Sequence, residues 1–212
     1  MAQNVCRPKI WKAVKKVWSD TIRENYNRSH ELNSEHSLQA ALYARLKPEI
    51  ADISPNLTIF VEPKIRLGRE AKAVVFPDIL ICNIRSLTLI CAIELKYKPR
   101  VTGAAIKKAL AKDIKTLLAL ANVNSSICFE HERHHGPRPR ENLYKSTPTT
   151  LYVWAGVYAA KSKDTQASED AKFVMNVIED GGLRELAESG KFRSLHAITS
   201  KDEPAQVWPT CP

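Results

Sequence analysis

The sequence predicts an α/β protein, a mixed central β-sheet flanked by α-helices. Three observations carry that expectation. Amphipathic helical patterns open the chain; two apolar runs, Ile79 to Ile84 and Leu87 to Ile93, stand in tandem across a short Arg85-Ser86 break; and a further apolar run, Leu151 to Ala160, follows a long helical pattern. Helices and strands that alternate in this way pack as layers around a sheet.

The elements follow in order. From Pro8, the residues Trp11, Val14, Val17, Trp18 and Ile22 recur at helical spacing opposite Lys12, Lys15 and Lys16, and the two tryptophans read as core side chains. A second helix begins after Ser34, a good N-cap, with Glu35 in its first turn and Leu38, Ala41, Leu42 and Leu46 on one face, and Pro48 is expected to stop it. Leu57 to Leu67 reads as a strand that Pro63 interrupts or confines to an edge. The tandem apolar runs form a hairpin. After Pro99 and Gly103, Ile106, Leu110, Ile114, Leu117, Leu118 and Ala121 mark a long helix whose other face carries Lys107, Lys108, Lys112 and Lys115. Residues 122–150 are polar and proline-rich and read as a loop excursion. Leu151 to Ala160 is a strand, Ser168 to Ile178 a helix stopped by Gly181 and Gly182, and Ser194 to Ile198 a last strand. The whole, 1–212, is read as one domain with an N-terminal helical extension over about 1–30.

Composition narrows the function classes. A hydrophobic share of 44% with 26% charged residues is that of an ordinary globular protein. Lysine and arginine outnumber acids 32 to 23, giving +9, which favours a polyanionic partner such as nucleic acid. No apolar run is long enough for a membrane span and the N-terminus lacks a signal-peptide core, so no membrane partner and a cytoplasmic location are expected. Five cysteines without a CxxC speak for buried thiols rather than disulfides or a thiolate zinc site.

The hairpin poses the functional question, because Asp78 heads its first run and Glu94-Leu95-Lys96 closes its second. Isolated charges on buried strands are costly. Asp78 and Glu94 are symmetric about Ser86, so folding there opposes Asp78 to Glu94, Leu80 to Ala92 and Cys82 to Ile90. Lys96 then falls on the face of Glu94, roughly 7 Å along the strand. Two carboxylates can hold a hard divalent cation, and a lysine one step away can orient a water and stabilise negative charge. Phosphodiester hydrolysis needs these groups.

Pro77-Asp78 followed by Glu94-Leu95-Lys96, on a hairpin between an acidic-capped helix and an amphipathic helix, resembles the PD-(D/E)xK nuclease superfamily. The resemblance covers Ser34 to Ala121, with Leu151 to Ala160 as the following strand. It implies a restriction endonuclease-like core and a metal-dependent nuclease, acting on DNA rather than RNA, that uses Mg²⁺ with Mn²⁺ as a substitute. It also implies that Asp78 and Glu94 are metal ligands, that the carbonyl of Leu95 adds an oxygen, that Lys96 is the catalytic lysine and that Glu35 is the helix-borne acid. The helix after the motif lacks the QxxxY of RecB-like members.

Other readings stand beside these. Asp78, Glu94 and Lys96 could form an internal salt-bridge cluster, though one carboxylate would then lack a cation. Glu35 could simply favour its helix N-terminus, with Glu62 and Glu31 as alternative acids. The four helical lysines either track phosphates or are a solvated face. His131, His134 and His135 have the wrong spacing for common zinc sites and read as loop residues that touch phosphate. At the level of function, the rival is a silent nucleic-acid-binding or assembly module with the same fold; a homodimer or a larger nuclease complex would supply target recognition that so short a chain does not display.

Overall fold

The computed structural model describes residues 7–68, 74–122, 127–129, 143–160, 167–199 and 205–209. Helix α1 spans Arg7–Thr21 and buries Ile10, Ala13, Val14, Val17 and Trp18, with a π-helical turn, Ile22–Tyr26, at its end. Helix α2, Glu35–Ile53, starts at a reciprocal cap: the Ser34 hydroxyl accepts from the Ser37 N–H at 3.1 Å, and the Ser37 hydroxyl accepts from the Ser34 N–H at 3.0 Å. Contrary to expectation, α2 does not stop at Pro48 but runs through it. Pro48 and Ala44, the residue whose carbonyl it cannot engage, are both exposed, so water can take the freed acceptor.

The expected strand Leu57 to Leu67 is divided. Strand β1 is Leu57–Val61 and β2 is Ile65–Leu67; between them Glu62 takes a left-handed φ of 44°, and the two halves enter different sheets. They are followed by β3 (Val74–Val75), β4 (Ile79–Asn83), β5 (Thr88–Thr102), α3 (Lys107–Ala121), β6 (Ile127–Phe129), β7 (Leu143–Tyr144), β8 (Leu151–Ala159), α4 (Ala167–Ile178), a second π-helical turn (Glu179–Leu183), α5 (Arg184–Glu188), β9 (Phe192–Thr199) and β10 (Gln206–Pro209). The excursion at 122–150 thus contributes two short strands, and β10 is an addition to the expected elements.

The central sheet has six strands in the order β1-β4-β5-β8-β9-β10. It is mixed: β5, β8 and β9 are mutually parallel, while β1, β4 and β10 join antiparallel to their neighbours. A four-stranded antiparallel sheet, β3-β2-β6-β7, packs to one side. Period two divides the core between the faces of the central sheet. Cys91, Ile93 and Leu95 join α1 and α2 in one apolar layer, whereas Leu80, Cys82, Ala92 and Trp154 join α3, α4 and the smaller sheet in the other. Cys82, Cys91 and Cys128 are buried thiols, as the cysteine pattern implied.

The hairpin register pairs Ile79 with Ile93, Leu80 with Ala92 and Ile81 with Cys91. A bulge then shifts Cys82 opposite Leu89, not Ile90 as symmetry suggested. The displaced residue lies at the turn end of the hairpin, so the charged end keeps the symmetric spacing.

Candidate active site

The site grows where the β4–β5 ladder runs out. Strand β4 begins at Ile79, so beyond Ile93 the neighbouring edge of β5 has backbone donors without strand partners. Two acids take them. Asp78 Oδ2 accepts from the Leu95 N–H at 2.6 Å, and Glu35 Oε2 accepts from the Tyr97 N–H at 3.1 Å. Leu95 and Tyr97 alternate with Glu94 and Lys96, whose side chains therefore rise from the face turned toward α3. The Asp78 main chain is itself held, its carbonyl accepting from the Glu62 N–H at 2.9 Å and from Gln39 Nε2, on α2, at 3.0 Å.

Lys96 lies between two carboxylates. Its ammonium is 3.5 Å from Glu35 Oε2 and 3.3 Å from Asp113 Oδ1 on α3. The second oxygen of Asp113 accepts from Trp154 Nε1, on β8, at 3.2 Å. Asp113, absent from the sequence-based candidates, is buried on the inner face of α3. Its signal was present: position 113 falls three residues after Leu110 and four before Leu117, inside the apolar stripe where an acid needs a partner.

Glu94 is the acid left least satisfied. It is 5% exposed, it shares a hydrogen bond with Asp78, and its Oε1 is buried with no partner. Burial, reinforced by Asp78 and Asp113, pushes its carboxyl up to about 10. Burial likewise raises Asp78, against the opposing pull of the Leu95 N–H. Asp113 is pushed up to about 6 by burial, with Lys96 and Trp154 pulling the other way. For Lys96, burial acts to lower the pKa, but Asp113 and Glu35 together outweigh it and the net shift is upward.

Two carboxylates, those of Glu35 and Asp113, thus flank the ammonium, and Asp78 and Glu94 lie close enough to feel its charge. A plain salt-bridge cluster would balance its charges; this one has acid to spare, and the excess gathers at Asp78 and Glu94. Among the described residues no group of three or more His, Cys, Asp or Glu side chains is placed to cage a metal. A pair of carboxylates with one orphaned oxygen fits a hard cation that keeps most of its own waters, as Mg²⁺ does. In an extended strand the N–H and C=O of one residue leave by the same edge, so the Leu95 carbonyl is on the Asp78 side.

The other candidates divide. Glu62 faces His36 at 3.6 Å rather than the cluster, and Glu31 is exposed. Lys107, Lys108, Lys112 and Lys115 are exposed on the outer face of α3, the helix whose inner face carries Asp113. Trp18 is fully buried and Trp11 half-buried against the same core, so neither is a base platform. His131, His134 and His135 lie outside the described residues. No described helix is long and apolar enough to cross a membrane.

No protein-family model matches the chain, and no curated protein matches it. Two solved structures resemble it remotely. One is Pyrococcus furiosus SfsA in complex with Ca²⁺, at 12% identity and a TM-score of 0.32, covering 81% of this chain and 61% of that one. The other is the central domain of yeast acetyl-CoA carboxylase, at 12% identity and a TM-score of 0.34, covering 95% of this chain and 33% of that one. The chain therefore spans less than two thirds of either. The functional reading rests on the site.

Proposed function

We propose that the chain is a divalent-metal-dependent nuclease that hydrolyses phosphodiester bonds, with DNA as its substrate. The observation that carries this is the buried, partnerless Oε1 of Glu94 beside Asp78, on the strand that also carries the Lys96 ammonium. An orphaned acid oxygen in a protein interior is costly unless a ligand meets it.

Asp78 and Glu94 would hold Mg²⁺, or Mn²⁺ in its place, with the Leu95 carbonyl as a third oxygen. When bound, the ion supplies a water of lowered pKa and neutralises charge on the phosphate. The chain supplies the rest. Asp78 is fixed by hydrogen bonds at both its main chain and its side chain, so its carboxylate is aimed before any ligand arrives. Lys96 places a permanent positive charge where negative charge develops on the transferring phosphoryl group. Lys107, Lys108, Lys112 and Lys115 offer a polyanion a sequence-independent track beside the site.

The test is incubation of the purified protein with linear, circular, single-stranded and branched DNA and with RNA, in Mg²⁺, Mn²⁺ or EDTA. Cleavage that needs the metal and disappears in Asp78→Asn and Glu94→Gln is the expected result; wild-type rates in both variants would place the chemistry elsewhere. Lys96→Ala should lower kcat by about 100- to 1,000-fold while sparing nucleic-acid affinity. Tight binding without cleavage under any metal would identify a silent binding module instead.

A further inference from the structure

Asp113 belongs neither to the hairpin nor to the acids expected from the sequence, yet it makes two directed contacts at the site. One oxygen meets Lys96 at 3.3 Å and the other meets the Trp154 indole N–H at 3.2 Å. We propose that Asp113 is a positioning residue: anchored by Trp154, it holds the Lys96 ammonium in its working place through the Asp113–Lys96 contact.

The anchor is built into the sheet. In the parallel pairing of β5 with β8, Trp154 stands beside Glu94 and Gly156 beside Lys96. A Cβ at Gly156 would lie 2.2 Å from the Trp154 ring, so the bare glycine leaves the space over which the indole lies along the strand. The ring is fully buried, which fixes its N–H direction, and a buried indole donor calls for an acceptor. Asp113 is that acceptor. Its remaining oxygen is then committed to one direction, toward Lys96, whose flexible stem would otherwise sample several rotamers. Glu35, the other carboxylate on Lys96, is at 37% side-chain exposure against 3% for Asp113, so the firm restraint comes from the buried side.

The kinetic part of this inference rests on the nuclease reading; the structural part does not. In cleavage assays on supercoiled plasmid DNA with Mn²⁺, Asp113→Asn keeps an acceptor for Trp154 and removes the charge that holds Lys96. It should lower kcat about 10- to 100-fold with KM and DNA affinity within about twofold. Asp113→Glu should recover part of the loss. Trp154→Phe, which removes the anchoring donor, should lower kcat in the same sense by less. In the Lys96→Ala background, Asp113→Asn should have no further effect on kcat, because its action passes through the lysine; a merely structural acid would cost activity in both backgrounds. Wild-type kcat in Asp113→Asn, or an undiminished loss in the Lys96→Ala background, overturns the assignment. If the wild type cuts no nucleic acid, the nuclease reading fails and crystal structures of the wild type and Asp113→Asn decide the inference: Lys96 should leave its place near Glu35 while Trp154 stays, and an unmoved Lys96 ammonium rejects it.

Discussion

Glu94 shows what one side chain can reveal about its own purpose. A carboxyl raised to about 10 in the folded chain, against 4.5 for an ordinary glutamate, binds a proton that the unfolded chain releases. Folding stability contributed at this position is therefore complete below about pH 4.5 and is lost progressively as pH rises toward 10. Glu94→Gln removes that loss. In EDTA at pH 8 the variant should be more stable than the wild type by on the order of a few kcal/mol, with the difference vanishing near pH 4, measured by urea unfolding. Mg²⁺ should stabilise the wild type and leave the variant unaffected. A variant less stable than the wild type at pH 8 would mean that the carboxylate is satisfied in the metal-free protein. Asp78, Glu94 and Lys96 were legible in the sequence because charges at the ends of apolar strand runs, symmetric about a turn, are driven together by the fold and must meet a partner or a ligand there. Asp113 stood in equally plain view, but an acid on a helix surrounded by lysines reads as solvated until its angle around the helix is checked. Glu35 could not be resolved from sequence, since a helix N-terminus welcomes the same charge; the Tyr97 N–H and the Lys96 ammonium that it meets come from a strand far along the chain.

Among the elements, β8 and α3 each carry a test. Gly156→Ala would drive a methyl into the Trp154 ring at 2.2 Å, so the buried indole would have to shift. The variant should lose about 1–3 kcal/mol of stability, and metal-dependent cleavage should fall with it as the indole leaves Asp113. Calorimetry and cleavage rates on the folded fraction check this; a fully stable Gly156→Ala would show that the indole has another place to go. For α3, replacing Lys108, Lys112 and Lys115 by Gln should flatten the salt dependence of DNA binding by up to about 0.9 in log-log slope per lost phosphate contact, equally for unrelated sequences. An unchanged slope would leave the lysines as a solvated face. Helix and strand types followed from periodicity and from Ser34 as a cap. Their ends did not, because Pro48 is tolerated on an exposed helical face, and because the left-handed Glu62 that sends β1 and β2 into separate sheets has no mark beyond the Pro63 that follows it. Strands as short as β6 and β7 carry too few residues for a period to register.

At the scale of the whole molecule, β5 and β8 form the centre, with apolar layers on both faces and neighbours on both edges. Their amides should exchange with solvent most slowly, and those of the short strands β3 and β7 early, as mass-spectrometric hydrogen exchange would read. Early exchange in β8 would place the stable nucleus elsewhere. Three of the hydrogen bonds that fix the site close long spans of chain: Gln39 to Asp78 crosses 39 positions, Asp113 to Trp154 crosses 41, and Glu35 to Tyr97 crosses 62, whereas Leu95 to Asp78 crosses 17. Contacts of that reach form only after much of the chain entropy has been surrendered. The hairpin brings Asp78, Glu94 and Lys96 together locally, but the contacts that aim them are drawn from distant threads, so the finished site arrives only with the finished fold and a partly folded chain holds its acids without their alignment.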